Sequence, residues 1–275
     1  VFTLLLMKPV RVPDLRSMKA RGEKITMLTA YDAGMARLLD RAGIDVILVG
    51  DSLGMVVLGY ETTIPVTLDM MIHHTAAVCR GAKRALIVGD MPFLTYHTSV
   101  EEAVRNAGRL VQEGGAAAVK IEGGRPMEAV VRRLTEIGIP VIGHLGLTPQ
   151  SVHALGGFRP QGRDEKAAAD LMADARAIEG SGAAAVVLES IPAELARQVT
   201  ASLSIPTIGI GAGPDCDGQV LVSHDVFGML DGPSPPFARQ YARLGEAMIG
   251  AAGAYIADVR AGRFPPPPGG ERKPS

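Results

Sequence analysis

Short apolar runs rich in Val, Ile and Leu alternate along the chain with longer stretches of mixed polarity, and each run tends to end in Gly, Asp, Glu or Ser. Unbroken apolar runs of four to eight residues are characteristic of strands buried on both faces, as in parallel sheets. They predict strands at ITMLTA (25–30), DVILVGD (45–51), RALIVGD (84–90), AAVKIEG (117–123), PVIGHLG (140–146), AAVVLES (184–190), PTIGIGA (206–212) and VFGML (226–230). The stretches between them carry helix signals. Asp32 stands where a cap should, before Met35, Leu38, Leu39 and Ala42 at helical spacing, and Gly43 supplies a stop. Ser99 followed by Glu102 forms a capping box ahead of Ala103, Val104, Ala107, Leu110 and Val111, ended by Gly114-Gly115. Ser190-Ile191-Pro192 places a cap and an early proline ahead of another helix.

Eight strand-helix units in one direction predict an α/β fold, a (β/α)8 TIM barrel in one domain. A doubly wound open sheet shares the alternation, but the count of eight and the polar residues recurring at strand ends favour the barrel. An Ala- and Gly-rich helical stretch at about 236–262 follows as a closing helix. The expected division is an N-terminal extension at 1–11, a barrel catalytic domain at 12–263 and a disordered proline-rich tail at 264–275. The opening VFTLLL is too short to span a bilayer, and Met7 is expected to be the natural start. FPPPPGGERKPS can neither pack a core nor continue a helix.

Composition narrows the choice of partner. A net charge of −1, with no basic run interleaved with aromatics, gives nucleic acid no electrostatic footprint, so a small molecule is expected. No membrane association is expected either. Cys79 and Cys216 lie far apart without metal spacing, which fits a reducing, cytoplasmic setting and two inert thiols.

In a barrel of this kind the active site is built at the C-terminal strand ends. Those ends supply Asp51 and Ser52, Asp90, Lys120 and Glu122, His144, and Glu189. Taken singly, each has an ordinary explanation: a turn former, a solvated acid, a structural histidine. Taken together, four carboxylates facing one small space require a compensating cation or raised pKa values. Hard oxygen ligands suit Mg²⁺, which takes one or two protein carboxylates and keeps its remaining positions for water or substrate. Lys120 shares a strand face with Glu122 and offers a compact positive charge to a carboxylate-bearing substrate.

Gly50-Asp51-Ser52-Leu53 spells the signature of a large class of serine ester hydrolases. Those enzymes need a histidine as base, normally with an aspartate three residues before it, and none of the six histidines (73, 74, 97, 144, 153, 224) has one. Ser52 is therefore expected to hydrogen-bond substrate. GIGAG (209–213) at the end of the seventh run fits either a phosphate-binding loop or a plain tight turn, and no Lys or Arg lies within 209–222 to favour the first. His73 and His74 point in different directions on a helix and are expected to be packing or surface residues.

The segments TAYDAGMARLLDRAGIDVILVGDSLGM, TIPVTLDMMIHHTAAV, VGDMPF, VKIEGG, GHLGLTPQSV, GGFRPQGR, VLESIP, IGIGAG and DGQVLV occur in an order that resembles the 3-methyl-2-oxobutanoate (ketopantoate) hydroxymethyltransferase family over about residues 12–263. The resemblance implies a barrel of the phosphoenolpyruvate/pyruvate-type superfamily. It implies hydroxymethyl transfer from 5,10-methylenetetrahydrofolate to a keto acid in pantothenate biosynthesis, with Mg²⁺ as cofactor and a homo-oligomer, typically a decamer. It further implies Asp51, Asp90 and Glu122 at the metal, Asp51, Ser52, Asp90 and Lys120 at the keto acid, Glu189 as proton acceptor, and His144 as a candidate substrate contact. Residues 1–6, the tail and Cys216 match nothing in the family pattern. A Mg²⁺-dependent C–C lyase or mutase on a related barrel is the alternative enzyme class, and a non-catalytic barrel the alternative to an enzyme.

Overall fold

The computed structural model describes residues 8–230, 232 and 235–266. The first seven residues of the expected extension, and the expected tail from 267 onward, lie outside the described residues. Two units divide the chain, one ending at Ser223 and the other beginning at His224.

The first unit is a closed barrel of eight parallel strands: β1 (Ile25–Thr29), β2 (Val46–Val49), β3 (Leu86–Asp90), β4 (Ala118–Glu122), β5 (Val141–Gly146), β6 (Ala185–Glu189), β7 (Thr207–Ile210) and β8 (Gly218–Leu221). Each strand pairs with the next, and β1 pairs with β8, so no sheet edge is left open. The described helices are α1 (Val12–Ala20), α2 (Ala33–Ala42), α3 (Leu53–Val56), α4 (Leu68–Gly81), α5 (Val100–Gln112), α6 (Glu128–Glu136), α7 (Val152–Leu155), α8 (Glu165–Gly180), α9 (Ala193–Ser202), α10 (Ser223–Phe227) and α11 (Leu244–Arg260).

Seven of the expected strands form where the apolar runs lie. The eighth does not: Ser223–Phe227 is helical, and strand eight is Gly218–Leu221 upstream. VFGML is the longer unbroken apolar run, but its first residues close a helix and Gly228 turns the chain with φ 58°, whereas Gly218 and Gln219 break the apolar signal of the true strand. Gly218 is required there, because a Cβ would sit 2.5 Å from the Ile25 carbonyl oxygen of the neighbouring strand.

Two helix starts follow the expected chemistry. Asp32 accepts from the Met35 N–H, and Ser99 from the Glu102 N–H. The α2 seam is narrower than its spacing predicts, because Ala36 and Leu39 are buried while Leu38 is 60% exposed. At α9 the expected cap fails. Pro192 holds the cap position, and Ser190 adopts a left-handed backbone (φ 48°) with its N–H donating to Ile210.

Inside the barrel, side chains of one parity along each strand form an apolar cluster: Ile25 and Met27, Val46 and Leu48, Leu86 and Val88, Ala118, Ile142, Ala185 and Val187, Ile208 and Val220. Leu15 of α1 joins this cluster. Because side chains alternate with period two, the same inward parity continues to Asp90, Lys120, Glu122, His144 and Glu189 at the C-terminal ends. The interior thus changes from apolar to charged along the barrel axis.

In the second unit, α11 is helical over 17 residues and buries none of them. Met248, Ile249, Tyr255 and Ile256 are exposed, and the Tyr255 ring meets Phe264 edge-on at 5.5 Å. Tyr241 donates through its N–H to Val226, and Gly245 to Gly228. Among the described residues, no helix is long and apolar enough to cross a membrane.

Candidate active site

Strand register sets the charged layer. Asp90 lies opposite Lys120 on the β3–β4 ladder, Glu122 opposite His144 on β4–β5, and Glu189 opposite Gly146 on β5–β6. Lys120 Nζ is 3.2 Å from Asp90 Oδ1 and 3.2 Å from His144 Nδ1. His144 Nδ1 is 3.4 Å from Glu122 Oε1, and its Nε2 is 3.1 Å from Glu189 Oε2. Asp51, one residue past Gly50 at the mouth of β2, donates its backbone N–H to Asp90 Oδ2 at 3.1 Å. Six of the seven residues named from the strand ends therefore meet in one connected cluster.

Ser52 sits at its edge. Its hydroxyl is 2.9 Å from the Tyr31 hydroxyl. A Cβ on Gly50 would fall 2.7 Å from Ser52 Oγ and 3.5 Å from Asp90 Oδ2, so the bare backbone there lets both groups close in. Among the described residues the hydrogen bond of the Ser52 hydroxyl goes to Tyr31, not to a histidine, so the hydrolase signature shows no relay there. His74 Nδ1 lies 2.6 Å from the Tyr31 carbonyl oxygen and so helps hold that tyrosine, while His73 is exposed.

Two residues at the centre of the network carry no charge and escaped the sequence reading. Gln150 donates from Nε2 to Asp51 Oδ2 (2.9 Å) and to the Met91 carbonyl (3.0 Å), and its backbone N–H donates to Glu122 Oε2 (2.9 Å). Tyr96, fully buried, donates its hydroxyl to Gln150 Oε1 (2.7 Å) and accepts from the Glu122 N–H (3.0 Å). The available signal was position: Gln150 closes the GHLGLTPQ segment, and a short 3₁₀ turn (Pro149–Ser151) swings it back over the barrel.

Burial and neighbouring charges together set the protonation chemistry. It pushes Asp51 well up, reinforced by Asp90 and Glu122 and opposed by Lys120 and Gln150. Burial also raises Asp90, against the pull of Lys120 and the Asp51 N–H. Glu122 is held below the usual range, because His144, Lys120 and the Gln150 N–H outweigh its burial. Lys120 is raised: burial alone would lower it, and Asp90, Glu122 and Asp51 overcome that. Burial and Lys120 likewise oppose charge on His144, yet Glu122 and Glu189 raise it to about 9.

Whether these donors suit a divalent ion can be tested on the site itself. Asp90 Oδ1 is buried and has no aligned hydrogen bond, the Lys120 contact being an ion pair by distance only. Asp51 and Asp90 are hard oxygen donors, adjacent and strongly disfavoured as uncompensated anions. Glu122 has Oε2 occupied by Gln150 and Oε1 facing His144. Among the described residues, no three His, Cys, Asp or Glu side chains form a ready cage. Asp51 and Asp90, with the free Asp90 Oδ1, fit an ion held by one or two carboxylates with its other positions open, which is the habit of Mg²⁺.

The GIGAG glycines serve the backbone. Gly211 and Gly213 have positive φ (61° and 80°), and a Cβ on Gly213 would lie 2.4 Å from the Ala193 Cβ. The buried Cys216 closes on Gly209 from the loop that follows, and Cys79 donates to the Gly115 carbonyl.

A family model described as ketopantoate hydroxymethyltransferase matches residues 9–267. The 3-methyl-2-oxobutanoate hydroxymethyltransferase of Moorella thermoacetica is 60% identical over 256 residues, covering 93% of this chain and 95% of its own. The protein of the same name from Syntrophus aciditrophicus is 59% identical over 251 residues, covering 91% and 92%. Among solved structures, 2,3-dimethylmalate lyase, a PEP mutase/isocitrate lyase superfamily member, superposes with a TM-score of 0.58 at 20% identity, over 96% of this chain and 91% of its own. Phosphonopyruvate hydrolase, in a complex with oxalate and Mg²⁺, superposes with a TM-score of 0.62 at 13% identity, over 92% and 87%. These two share the fold. The sequence matches carry more, and by them the chain belongs to the ketopantoate hydroxymethyltransferase family.

Proposed function

We infer that this enzyme transfers the hydroxymethyl group of 5,10-methylenetetrahydrofolate to 3-methyl-2-oxobutanoate, giving 2-dehydropantoate and tetrahydrofolate, in pantothenate biosynthesis. The observation that carries the reading is the placement of Glu189. Its side chain is 15% exposed, against 4–5% for Asp90, Lys120, Glu122 and His144, and it stands 3.1 Å from the buried His144. It is the acid in this layer that a substrate can reach while its carboxylate is held from behind.

Asp51 and Asp90 would hold Mg²⁺, which when bound supplies Lewis-acid polarisation of the keto oxygen and so makes the C3 proton removable. Lys120, with Ser52, anchors the carboxylate of the keto acid. Glu189 takes the C3 proton, and His144 Nε2, 3.1 Å from Glu189 Oε2, orients one of its oxygens as an ion pair. Burial keeps water from competing for these groups, and a positioned base of this kind contributes roughly 100- to 10,000-fold in rate. The C3 carbon then bonds to the methylene carbon of the donor as one of that carbon's two C–N bonds breaks. A water oxygen displaces the second nitrogen to leave the hydroxymethyl group, and the proton from C3 and one from water end on the two folate nitrogens. The lyase and mutase alternative is not favoured, since its support is limited to shared fold. The same reading takes the protein as a cytoplasmic homo-oligomer, with Leu38 and the apolar positions of α11 as surface for self-association; sedimentation tests it.

The deciding experiment follows the C3 proton of 3-methyl-2-oxobutanoate in D2O by NMR, with Mg²⁺ or EDTA and with or without methylenetetrahydrofolate. Metal-dependent exchange, with product only when the folate is present, is expected. Folded, Mg²⁺-loaded protein that gives neither exchange nor product overturns the reading.

A further inference from the structure

An open, shallow cavity of about 520 Å³ is lined by Tyr60, Glu61, Ile64 and Pro65 of the segment after α3 and by His153 of α7. Both walls grow out of groups bonded to Asp51. On the first, the Gly54 N–H donates to the Asp51 carbonyl (2.9 Å) and the Tyr60 N–H to the Gly54 carbonyl (2.7 Å), two bonds from Asp51 to the cavity. Tyr60 Cδ2 lies 3.4 Å from where a Cβ on Gly54 would be, so its ring lies over that bare backbone. On the second wall, His153 follows three residues after Gln150, whose amide holds Asp51. None of these lining residues takes part in the chemistry assigned above.

We propose that this cavity seats the pterin of the one-carbon donor, with Glu61 as its recognition carboxylate and Tyr60 as its stacking face. The proposal rests on the transferase reading. A pterin is a flat polar heterocycle whose amino group stands beside a ring N–H, a donor pair that the two oxygens of a carboxylate can accept together. Its faces ask for an aromatic ring and apolar contacts, which Tyr60, Ile64 and Pro65 supply. The cavity also meets the requirement of the reaction, because the donor's methylene carbon must approach the keto acid from outside the buried charged layer.

The test uses full-length, Mg²⁺-loaded wild-type protein with Glu61→Gln and Tyr60→Ala, both exposed positions whose replacement leaves the core intact. Initial rates against methylenetetrahydrofolate are expected to show KM for the donor raised ten-fold or more in each variant. KM for the keto acid and the folate-independent exchange of its C3 proton should stay at wild-type levels. Transfer at unchanged donor KM in both variants overturns the proposal, as does equal loss of exchange, which would make these residues part of the keto-acid site. Should the wild type neither exchange nor transfer, the transferase reading itself fails. Calorimetric titration with tetrahydrofolate then still decides the cavity: tight binding weakened by Glu61→Gln supports it, and no difference between the two proteins overturns it.

Discussion

Gln150 and Asp51, 99 positions apart, are joined by a 2.9 Å hydrogen bond at the centre of the site, and every polar atom of the Gln150 amide is engaged. The residue fixes two carboxylates at once, one through its side chain and Glu122 through its backbone. On the proposed Mg²⁺ site, Gln150→Ala should lower kcat by about 10- to 100-fold and raise the Mg²⁺ concentration for half-activation, the usual cost of losing a group that orients metal ligands. Gln150→Glu should be worse, because it replaces donors with a further acceptor facing Asp51. Tyr96→Phe should fall between wild type and Gln150→Ala. Metal activation curves for the three variants check the order.

Gly146 is the position where fold and chemistry meet most tightly. Its φ is 92°, and a Cβ would lie 2.3 Å from the Glu189 carbonyl oxygen and 2.8 Å from Ile191 Cγ2. The neighbouring Leu147 N–H donates to that same carbonyl. Gly146→Ala must move the backbone that carries Glu189, so a loss of roughly 2–4 kcal/mol in stability should accompany a fall in kcat. Gly22 is the control: its φ is 69° and nothing lies within 4 Å of an added Cβ. Gly22→Ala should cost about 1 kcal/mol with activity unchanged. Urea midpoints and kcat for the two variants separate backbone strain from displacement of the proposed base, Glu189.

The charged layer was legible because a parallel barrel turns strand-end residues of one parity into a single surface. Asp90, Lys120, Glu122, His144 and Glu189 could therefore be grouped without knowledge of any contact. Strand β8 was not legible, since Gln219 points outward and Gly218 is there to let β1 approach. The apolar VFGML just downstream was a stronger signal for the wrong element. Leu38 has helical spacing yet stays exposed, because spacing marks a helix face but not what covers it. Gln150 and Tyr96 were hidden for another reason. A neutral amide and a phenol announce no charge, and their importance arises from a turn that brings one residue within reach of four partners.

Ser52 offers a direct test against the hydrolase signature. Its hydroxyl is bonded to Tyr31, not to a histidine, so nothing prepares it to lose a proton. Ser52→Ala should raise KM for the keto acid roughly five-fold, the value of one hydrogen bond of about 1 kcal/mol, with kcat largely kept. A serine-directed organophosphate should leave the wild type active. Abolished kcat in the variant, or inactivation by the reagent, would restore a nucleophilic role.

Glu179 ties the end of α8 to the loop after α9. One carboxylate oxygen accepts from the Ser204 N–H (2.6 Å), the Ser204 hydroxyl (2.8 Å) and the Ile205 N–H (3.1 Å). Partial burial pushes its pKa up, but these donors outweigh that and hold it below the ordinary carboxylate value. The folded state therefore binds the proton less readily than the unfolded chain does. The resulting stability is fully present above the unfolded carboxylate pKa of about 4.3 and is lost as pH falls through the lower folded value. Screening by solvent at this half-exposed site limits the effect to about 1 kcal/mol. Glu179→Gln keeps an acceptor but not the charge, so the wild type should exceed it in denaturant midpoint at pH 6–7, and the two should converge towards pH 3. A difference that persists undiminished at pH 3 would show that the charge on Glu179 has no part in holding this loop.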